Sequence, residues 1–126
     1  MRIVLAQQAT QPIYEQIKEQ LKVSILSGLL EENTQLPSIR QLARDLQVSV
    51  ITTTRAYNDL ELEGYIQTTP GKGCYVKKMD RSRIQEQYLN TATTTLQEGI
   101  RLAALAGLSS VQIHQLLDDL LKGDTP

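Results

Sequence analysis

The chain has 126 residues, 13 basic and 14 acidic, and its apolar fraction of 40% is typical of a globular protein rather than a disordered one. One cysteine and one histidine exclude a disulfide framework and argue against a zinc or histidine metal site, so we predict no cofactor. The net charge of −1, taken alone, argues against nucleic-acid binding.

The length fits one domain, or one small domain with an appendage. No apolar run approaches the ~18 residues that a membrane span needs, and the opening residues lack the apolar stretch of a signal peptide. We therefore expect a cytoplasmic chain that does not contact a membrane.

The first predicted helix begins at Pro12, a residue that suits the first helical position. Apolar residues recur every four positions over 13–25, and Gly28 ends the helix. The preceding residues 3–5 are expected either to form an edge strand or to pack on the domain. Residues 29–36 are predicted to form a connection.

Two further helices with a tight turn between them follow. Ser38 with Gln41 is a capping box that opens the second helix. Ser49 is the expected N-cap of the third, which runs to about Glu63 and is closed by Gly64. Its predicted inner face carries Thr53, Ala56, Tyr57 and Leu60, and its small, polar and basic outer face carries Ile51, Thr52, Thr54, Arg55 and Asn58.

After the third helix the apolar period changes from 3.6 to 2, so we predict a β-hairpin over residues 65–78. Gly71 and Gly73 supply the permissive backbone of its turn, while Ile66 and Val76 face inward. The lone Cys74 in this hairpin is expected to be a small buried residue rather than a redox sensor, and Tyr57 and Tyr65 are expected to pack rather than to stack on bases.

The remaining chain is predicted to form two helices, a long one over about 82–106 and a last one capped by Ser109 with Gln112. Four threonines within 91–95 weaken the long helix, so a bend there is one expectation. Two helices alone cannot bury both of their apolar stripes, which favours a dimer seam over a hairpin packed on its own domain. The expected dimerisation residues are Leu89, Leu96, Ile100, Leu116, Leu117 and Leu120.

The order helix, short helix, tight turn, helix, hairpin is that of a winged helix-turn-helix, so the predicted fold is mainly α with a small β-hairpin wing. In this architecture the second helix of the pair enters the major groove with its N-terminal residues toward the base edges. Small hydroxyl side chains and a helix N-terminus there also favour contact with phosphate.

The segment LPSIRQLARDLQVSVITTTRAYNDLELEGYIQTTPGKGCYV strongly resembles the winged helix-turn-helix of GntR-family bacterial transcription regulators, and the match runs from about Pro12 to Lys78. The short tail and the variants PSIR and TRAY are similar to the YtrA subfamily. The resemblance implies a DNA-binding domain over 11–79 and a dimerisation region over 80–126. It also implies a homodimer that acts on an operator, usually as a repressor.

By position, the resemblance implies a set of DNA-contacting residues. To the positions matched with the family we add Ile51 and Thr54 from the outer face of the third helix. Three positions depart from the family. The apolar Val50 stands where arginine or proline is frequent, and the apolar Ile51 stands where a polar residue is frequent. Thr53 stands where an aliphatic residue is usual. Contact with thymine methyl groups therefore replaces guanine readout as the expectation. The full predicted set is Ser38, Arg40, Ser49, Ile51, Thr52, Thr54, Arg55, Gly71 and Lys72.

The charges are sorted along the chain. Residues 38–58 carry three arginines against Asp45, a net of +2, and residues 65–78 carry three lysines and no acid, a net of +3. The three acids between these segments are expected to point away from the DNA, because the opposite end of their helix reads bases. These acids are Asp59, Glu61 and Glu63. Arg55 could alternatively pair with Asp59 on its own helix.

The leading hypothesis is a homodimeric repressor that binds a palindromic double-stranded DNA operator through helix 49–63 and the wing 65–78. The alternative is a winged-helix protein-interaction module. An enzyme is disfavoured, because one histidine and one cysteine supply no catalytic set and the turn at 71–73 lacks the spacing of a phosphate-binding loop. Whether an unidentified small-molecule effector binds between tail and domain, or none exists, stays open.

Overall fold

The computed structural model describes residues 2–6 and 10–123. It contains five helices and three short strands in this described part of the chain. Two compact units, Met1–Arg81 and Ser82–Pro126, divide the molecule. In chain order the elements are α1 (Ile13–Leu26), β1 (Gln35–Leu36), α2 (Ile39–Leu46), α3 (Val50–Leu62), β2 (Ile66–Thr69), β3 (Gly73–Val76), α4 (Arg81–Leu105) and α5 (Ser110–Leu121).

Helix α1 supplies the centre of the core of the first unit. Ile17, Leu21 and Ile25, spaced by four residues, are fully buried. The helix begins one residue later than predicted, since Pro12 is its N-cap and not its first helical residue. Gly28 follows the helix with a φ of +84°, the left-handed conformation in which glycine lacks the penalty of a side chain.

The N-terminal segment packs on α1 and forms no strand over residues 2–6. Two glutamine amides hold it by paired hydrogen bonds. The Gln20 amide accepts from Val4 N–H at 2.9 Å and donates to its carbonyl at 2.6 Å. The Gln16 amide does the same with Ala6, at 2.8 and 2.9 Å. Side chains thus satisfy backbone groups that an edge strand would otherwise pair.

The predicted caps of α2 and α3 are present, with one difference. Ser38 Oγ accepts from Gln41 N–H at 3.0 Å, as Ser49 Oγ does from Thr52 N–H. The Gln41 side chain, however, donates to Asp45 Oδ1 at 2.7 Å, so only one half of the predicted capping box forms at α2. The reason is competition between two partners for the Gln41 side chain, of which the carboxylate is the stronger.

The inner face of α3 is buried as the sequence predicts. Thr53 is tolerated in the core because its hydroxyl donates to the Ser49 carbonyl at 3.2 Å. The Tyr57 hydroxyl donates to the Pro37 carbonyl at 2.8 Å, and burial raises the pKa of this phenol, which keeps it a donor. The four buried residues of the helix are Thr53, Ala56, Tyr57 and Leu60.

The wing is a three-stranded antiparallel sheet in the order β1-β3-β2. The predicted hairpin is confirmed, with Ile66 opposite Val76 and both almost fully buried. The interpretation of 29–36 as a plain connection was wrong, because Gln35 and Leu36 pair with β3. A strand of two residues shows no periodicity, so the sequence alone could not reveal it.

Helix α4 is uninterrupted from Arg81 to Leu105. Hydroxyls in its threonine-rich stretch donate to carbonyls four residues earlier, Thr91 at 3.1 Å, Thr93 at 2.8 Å and Thr94 at 3.1 Å. The predicted capping box of α5 is confirmed in both halves, between Ser109 and Gln112.

Helices α4 and α5 contain no buried residue among those described. Four of the predicted dimerisation residues are about half or more exposed, and Leu116 and Leu117 are half-buried. The four are Leu89, Leu96, Ile100 and Leu120. No helix within residues 2–6 and 10–123 is both long and apolar enough to cross a membrane.

Candidate nucleic-acid interface

The first turn of α3 presents two apolar side chains to solvent. Ile51 is 83% exposed and Val50 is 47% exposed, whereas Thr53 beside them is fully buried. The helical period causes this division, because residues 53, 56, 57 and 60 turn one face into the core and the intervening positions outward. The exposed face lies at the end of the helix that carries free backbone N–H groups.

Hydroxyl groups at the start of α3 bond to one another and to the backbone. Ser49 Oγ donates to Thr52 Oγ1 at 2.8 Å while it accepts from Thr52 N–H. The Thr52 hydroxyl therefore keeps its proton for an outside acceptor, such as a phosphate oxygen. Thr54 Oγ1 donates to the Val50 carbonyl at 2.7 Å, which leaves its lone pairs facing outward.

Arg55 is exposed, but its guanidinium is not isolated. The guanidinium carbon lies 3.8 Å from the centroid of the Tyr14 ring on α1. The alternative of an Arg55–Asp59 pair is not realised, and Asp59 instead pairs with Lys18 at 3.6 Å. Tyr14 was not among the residues predicted from the sequence, since only the packing of α1 on α3 makes it a partner of Arg55.

Two of the three acids at the C-terminal end of α3, Asp59 and Glu63, bind α1, whereas Glu61 accepts from the Thr68 hydroxyl at 3.0 Å. Glu63 pairs with Lys18 and with Lys22, both at 2.5 Å. Burial pushes the pKa of Glu63 upward, but the hydrogen bonds and charges of both lysines outweigh it and lower this pKa. The hydrogen bond to Glu63 raises the pKa of Lys18 against the opposing effect of desolvation. Asp59 and Glu63 therefore stabilise the contact between the two helices.

The wing tip is braced through the backbone of Lys72. Its N–H donates to the Thr69 carbonyl at 3.0 Å and closes the turn. Its carbonyl accepts from Gln35 Nε2 and from the Tyr75 hydroxyl, each at 3.1 Å. Because the main chain of Lys72 makes these bonds, its charged side chain projects from a fixed turn.

Two glycines are required at this tip. Gly71 has a φ of +78° and open space around it. Gly73 has a φ of +118°, and a Cβ there would lie 2.8 Å from Gln35 Nε2. The side-chain amide of Gln35 thus lies over Gly73 closely enough that any side chain at Gly73 would displace it.

All nine predicted DNA-contacting residues belong to the unit Met1–Arg81. Arg40 and Ser38 lie at the start of α2, five others on the outer face of α3 or at its cap, and two at the wing tip. Seven of the nine are exposed, and Thr52 and Thr54 are half-buried. None is part of the core, so all nine remain accessible to a ligand. Within the described residues, no group of histidine, cysteine or carboxylate side chains could hold a metal ion.

Residues 13–76, which span α1 to the last wing strand, match the family model described as bacterial regulatory proteins, gntR family. The chain belongs to the GntR family. This GntR-family chain is 32% identical over 109 residues to the HTH-type transcriptional repressor YtrA of Bacillus subtilis, over 86% of the chain and 84% of that protein. It is 34% identical to the HTH-type transcriptional repressor NagR of the same organism, but spans only 42% of that protein.

Solved structures support the same assignment. A transcriptional antiterminator from Listeria monocytogenes is similar in structure, with a TM-score of 0.69 and 27% sequence identity. The match covers the whole of our chain and 97% of the antiterminator chain. YtrA from Sulfolobus acidocaldarius, a GntR-family transcription factor, matches 73% of the chain and 97% of its own with a TM-score of 0.59 and 33% identity. The AraR DBD in complex with operator ORE1 matches 60% of the chain and 93% of its own with a TM-score of 0.51 and 26% identity.

These relatives and neighbours are regulators and not enzymes. Our GntR-family protein is accordingly a DNA-binding transcription regulator with a mainly helical fold and a winged helix-turn-helix. Its partner is DNA, and the AraR domain among its structural neighbours was solved in complex with operators.

Proposed function

We propose that this protein is a homodimeric repressor that acts in the cytoplasm on a palindromic operator. Residues 11–79 serve as the DNA-binding domain and residues 80–126 as the dimerisation region. The compact units of the chain and the family match over 13–76 support this division. Two relatives whose names identify them as repressors support the direction of regulation.

The observation that carries the proposal is the outward face of α3, where polar, basic and apolar side chains surround an exposed helix start. Ile51 enters the major groove and the Thr52 hydroxyl donates to the phosphate backbone, while Thr54, whose proton is held by the Val50 carbonyl, offers its lone pairs to a donor on a base edge. Arg40 and Lys72 contact phosphates from α2 and the wing tip. Ser38 and Ser49 hold the two helix starts that approach the DNA, Gly71 lets the wing tip approach it, and Arg55 supplies a guanidinium beside them.

Dimerisation is supported by the apolar side chains that the tail leaves exposed. Leu96 and Ile100, one turn apart on α4, are 52% and 47% exposed, and Leu120 on α5 is 54% exposed. Exposed apolar side chains that share one helix face, as Leu96 and Ile100 do, mark interaction surfaces on soluble proteins. A two-fold dimer presents two copies of α3, which requires an operator with two-fold symmetry.

The test is selection of bound duplexes from a random DNA library, followed by gel shifts on the most enriched sequence. We expect an inverted repeat. Arg40→Ala and Lys72→Ala should each weaken binding and lower the slope of log affinity against log salt by about 1 per contacting phosphate lost. Arg101→Ala, which removes the same charge from the tail unit, is the matched control and should bind as the unaltered protein. Absence of any enriched inverted repeat would overturn the proposal.

A further inference from the structure

Three contacts between α1 and α3 follow one another at the same interval on both helices. The first is an aromatic ring under a guanidinium, and the next two are lysine–carboxylate pairs. We call these the α1–α3 contact row. Its members are Tyr14 with Arg55 at 3.8 Å, Lys18 with Asp59 at 3.6 Å, and Lys22 with Glu63 at 2.5 Å.

In the contact row, the acid one turn after Arg55 pairs with a lysine of α1 rather than with Arg55. Asp59 lies four residues after Arg55, the spacing at which an arginine and an aspartate pair on one helix. Lys18 binds Asp59 instead, and Lys18 also binds Glu63 at 2.5 Å. An intrahelical pair would use the N–H donors of the guanidinium and cancel its charge. Neither effect occurs in the structure, in which Asp59 pairs with the lysine on α1.

In place of an acid, Arg55 has an aromatic face. A ring attracts a guanidinium through its quadrupole and restricts the side chain, yet it accepts none of the in-plane N–H donors. Tyr14 is half-buried on α1, so its position is set by the packing of that helix on α3. The guanidinium is thereby held in one place with its charge and donors available.

We propose that Tyr14 is a positioning residue for operator binding, which holds Arg55 ready for a phosphate or base edge. The inference rests on the proposed function at one point, namely that Arg55 contacts DNA. Tyr14 itself does not need to touch DNA. An arginine without this support has to lose its rotamer freedom on binding, which we expect to weaken binding about 2- to 10-fold.

The experiment is a double-mutant cycle with the enriched operator duplex as the probe. Gel-shift affinities are measured for Tyr14→Phe, Tyr14→Leu, Arg55→Ala and the double variant Tyr14→Leu/Arg55→Ala. We expect Tyr14→Phe to bind within about 2-fold of the unaltered protein, because the ring is kept, and Tyr14→Leu to bind about 2- to 10-fold more weakly. In the Arg55→Ala background, Tyr14→Leu should have no further effect.

The control background is Arg101→Ala, in which the effect of Tyr14→Leu should keep its full size. An equal loss from Tyr14→Leu with and without Arg55 would mean a purely structural role and would overturn the proposal, as would no loss at all. If Arg55→Ala binds normally while the selection still yields an inverted repeat, the positioning role fails and the repressor function stands. Tyr14→Met replaces Tyr14→Leu if thermal melting shows that the leucine variant does not fold.

Discussion

Val50 and Ile51 illustrate how single residues determine what the exposed start of α3 can bind. Both are apolar and exposed at the first turn of α3, and neither side chain can donate a hydrogen bond to guanine. The methyl group of thymine is the apolar feature of the major groove, so burial against it is the favourable contact open to these side chains.

We therefore predict that replacing thymine by uracil in the operator half-sites weakens binding about 4-fold for each methyl group contacted, the equivalent of one buried CH₂. Competition gel shifts between the two duplexes measure this ratio. Ile51→Ala should reduce the discrimination, whereas Arg40→Ala should lower both affinities and leave the ratio intact. Equal affinity for both duplexes in the unaltered protein would contradict the prediction.

At the wing tip, Gly73 meets a constraint that its neighbour Gly71 lacks. Gly73→Ala places a side chain at a φ of +118°, which residues other than glycine rarely adopt, and displaces the Gln35 amide from the Lys72 carbonyl, so we expect the free energy of unfolding to fall by about 2 kcal/mol. Gly71→Ala is the control, because a side chain there has an unfavourable φ but meets no neighbouring atom. It should lower the free energy of unfolding by about 1 kcal/mol. Denaturant unfolding of both variants gives the comparison, and an identical loss would show that neither the larger φ of Gly73 nor the displaced Gln35 amide adds to the cost.

Helices α1 and α3 are joined by ion pairs that neither helix could form by itself. The acids of α3 oppose its dipole at the C-terminal end, which is unfavourable for the helix by itself. The lysines of α1 reverse this, since Lys18 and Lys22 each keep only 13% of their side-chain surface exposed while they bind Glu63. Packing of α1 on α3 thus has an electrostatic component beside its apolar core.

This component makes stability depend on pH in a defined direction. The pKa of Glu63 is lowered from its ordinary value of 4.5 by the folded state, so its contribution is complete above 4.5 and is lost as the pH falls through the folded value. The pKa of Lys18 is raised from 10.5, so its contribution is complete below 10.5 and is lost as the pH rises through the folded value.

We predict that Glu63→Gln costs about 1 kcal/mol of unfolding free energy at pH 7, and much less once the pH has fallen below the folded pKa of Glu63, where the unaltered protein has lost the interaction. Urea unfolding at the two pH values measures this difference. Glu32→Gln, a change at an exposed carboxylate in the loop after α1, is the control and should show little effect at either pH. An unchanged cost of Glu63→Gln at the lower pH would contradict the assignment.

The near-neutral net charge of the whole chain is the sum of basic and acidic segments that lie in different parts of it. A lysine of α1 forms ion pairs with Asp59 and Glu63 of α3. In the same unit, Arg40 and Lys72 carry exposed positive charge. The basic surface is modest, so binding should depend strongly on two half-sites held together by one dimer.

Leu96→Asp is accordingly predicted to give a monomer and to reduce operator affinity about 100-fold or more, because simultaneous binding of two half-sites is lost. Analytical ultracentrifugation and gel shifts measure the two effects. Val23→Asp, at a residue of α1 that is 66% exposed, adds the same charge to the other unit and should remain dimeric. A Leu96→Asp protein that stays dimeric would place the interface elsewhere.

The sequence by itself determined the features that depend on near neighbours. The caps at Ser38, Ser49 and Ser109, the buried face of α3 and the hairpin all follow from contacts within one helical turn or between adjacent strands. Such contacts leave a period or a spacing in the sequence, and for the same reason the order of elements in a winged helix-turn-helix can be recognised from the residues alone.

Only the tertiary structure decided which partners distant groups would find. Arg55 lies on Tyr14 rather than beside Asp59, and Gln35 pairs in the sheet and closes over Gly73. Residues such as Lys22 and Glu63 are 41 positions apart, and no local pattern records their contact. Their pairing depends on how α1 packs on α3, so the core geometry determines where charge is neutralised and where it remains available for DNA.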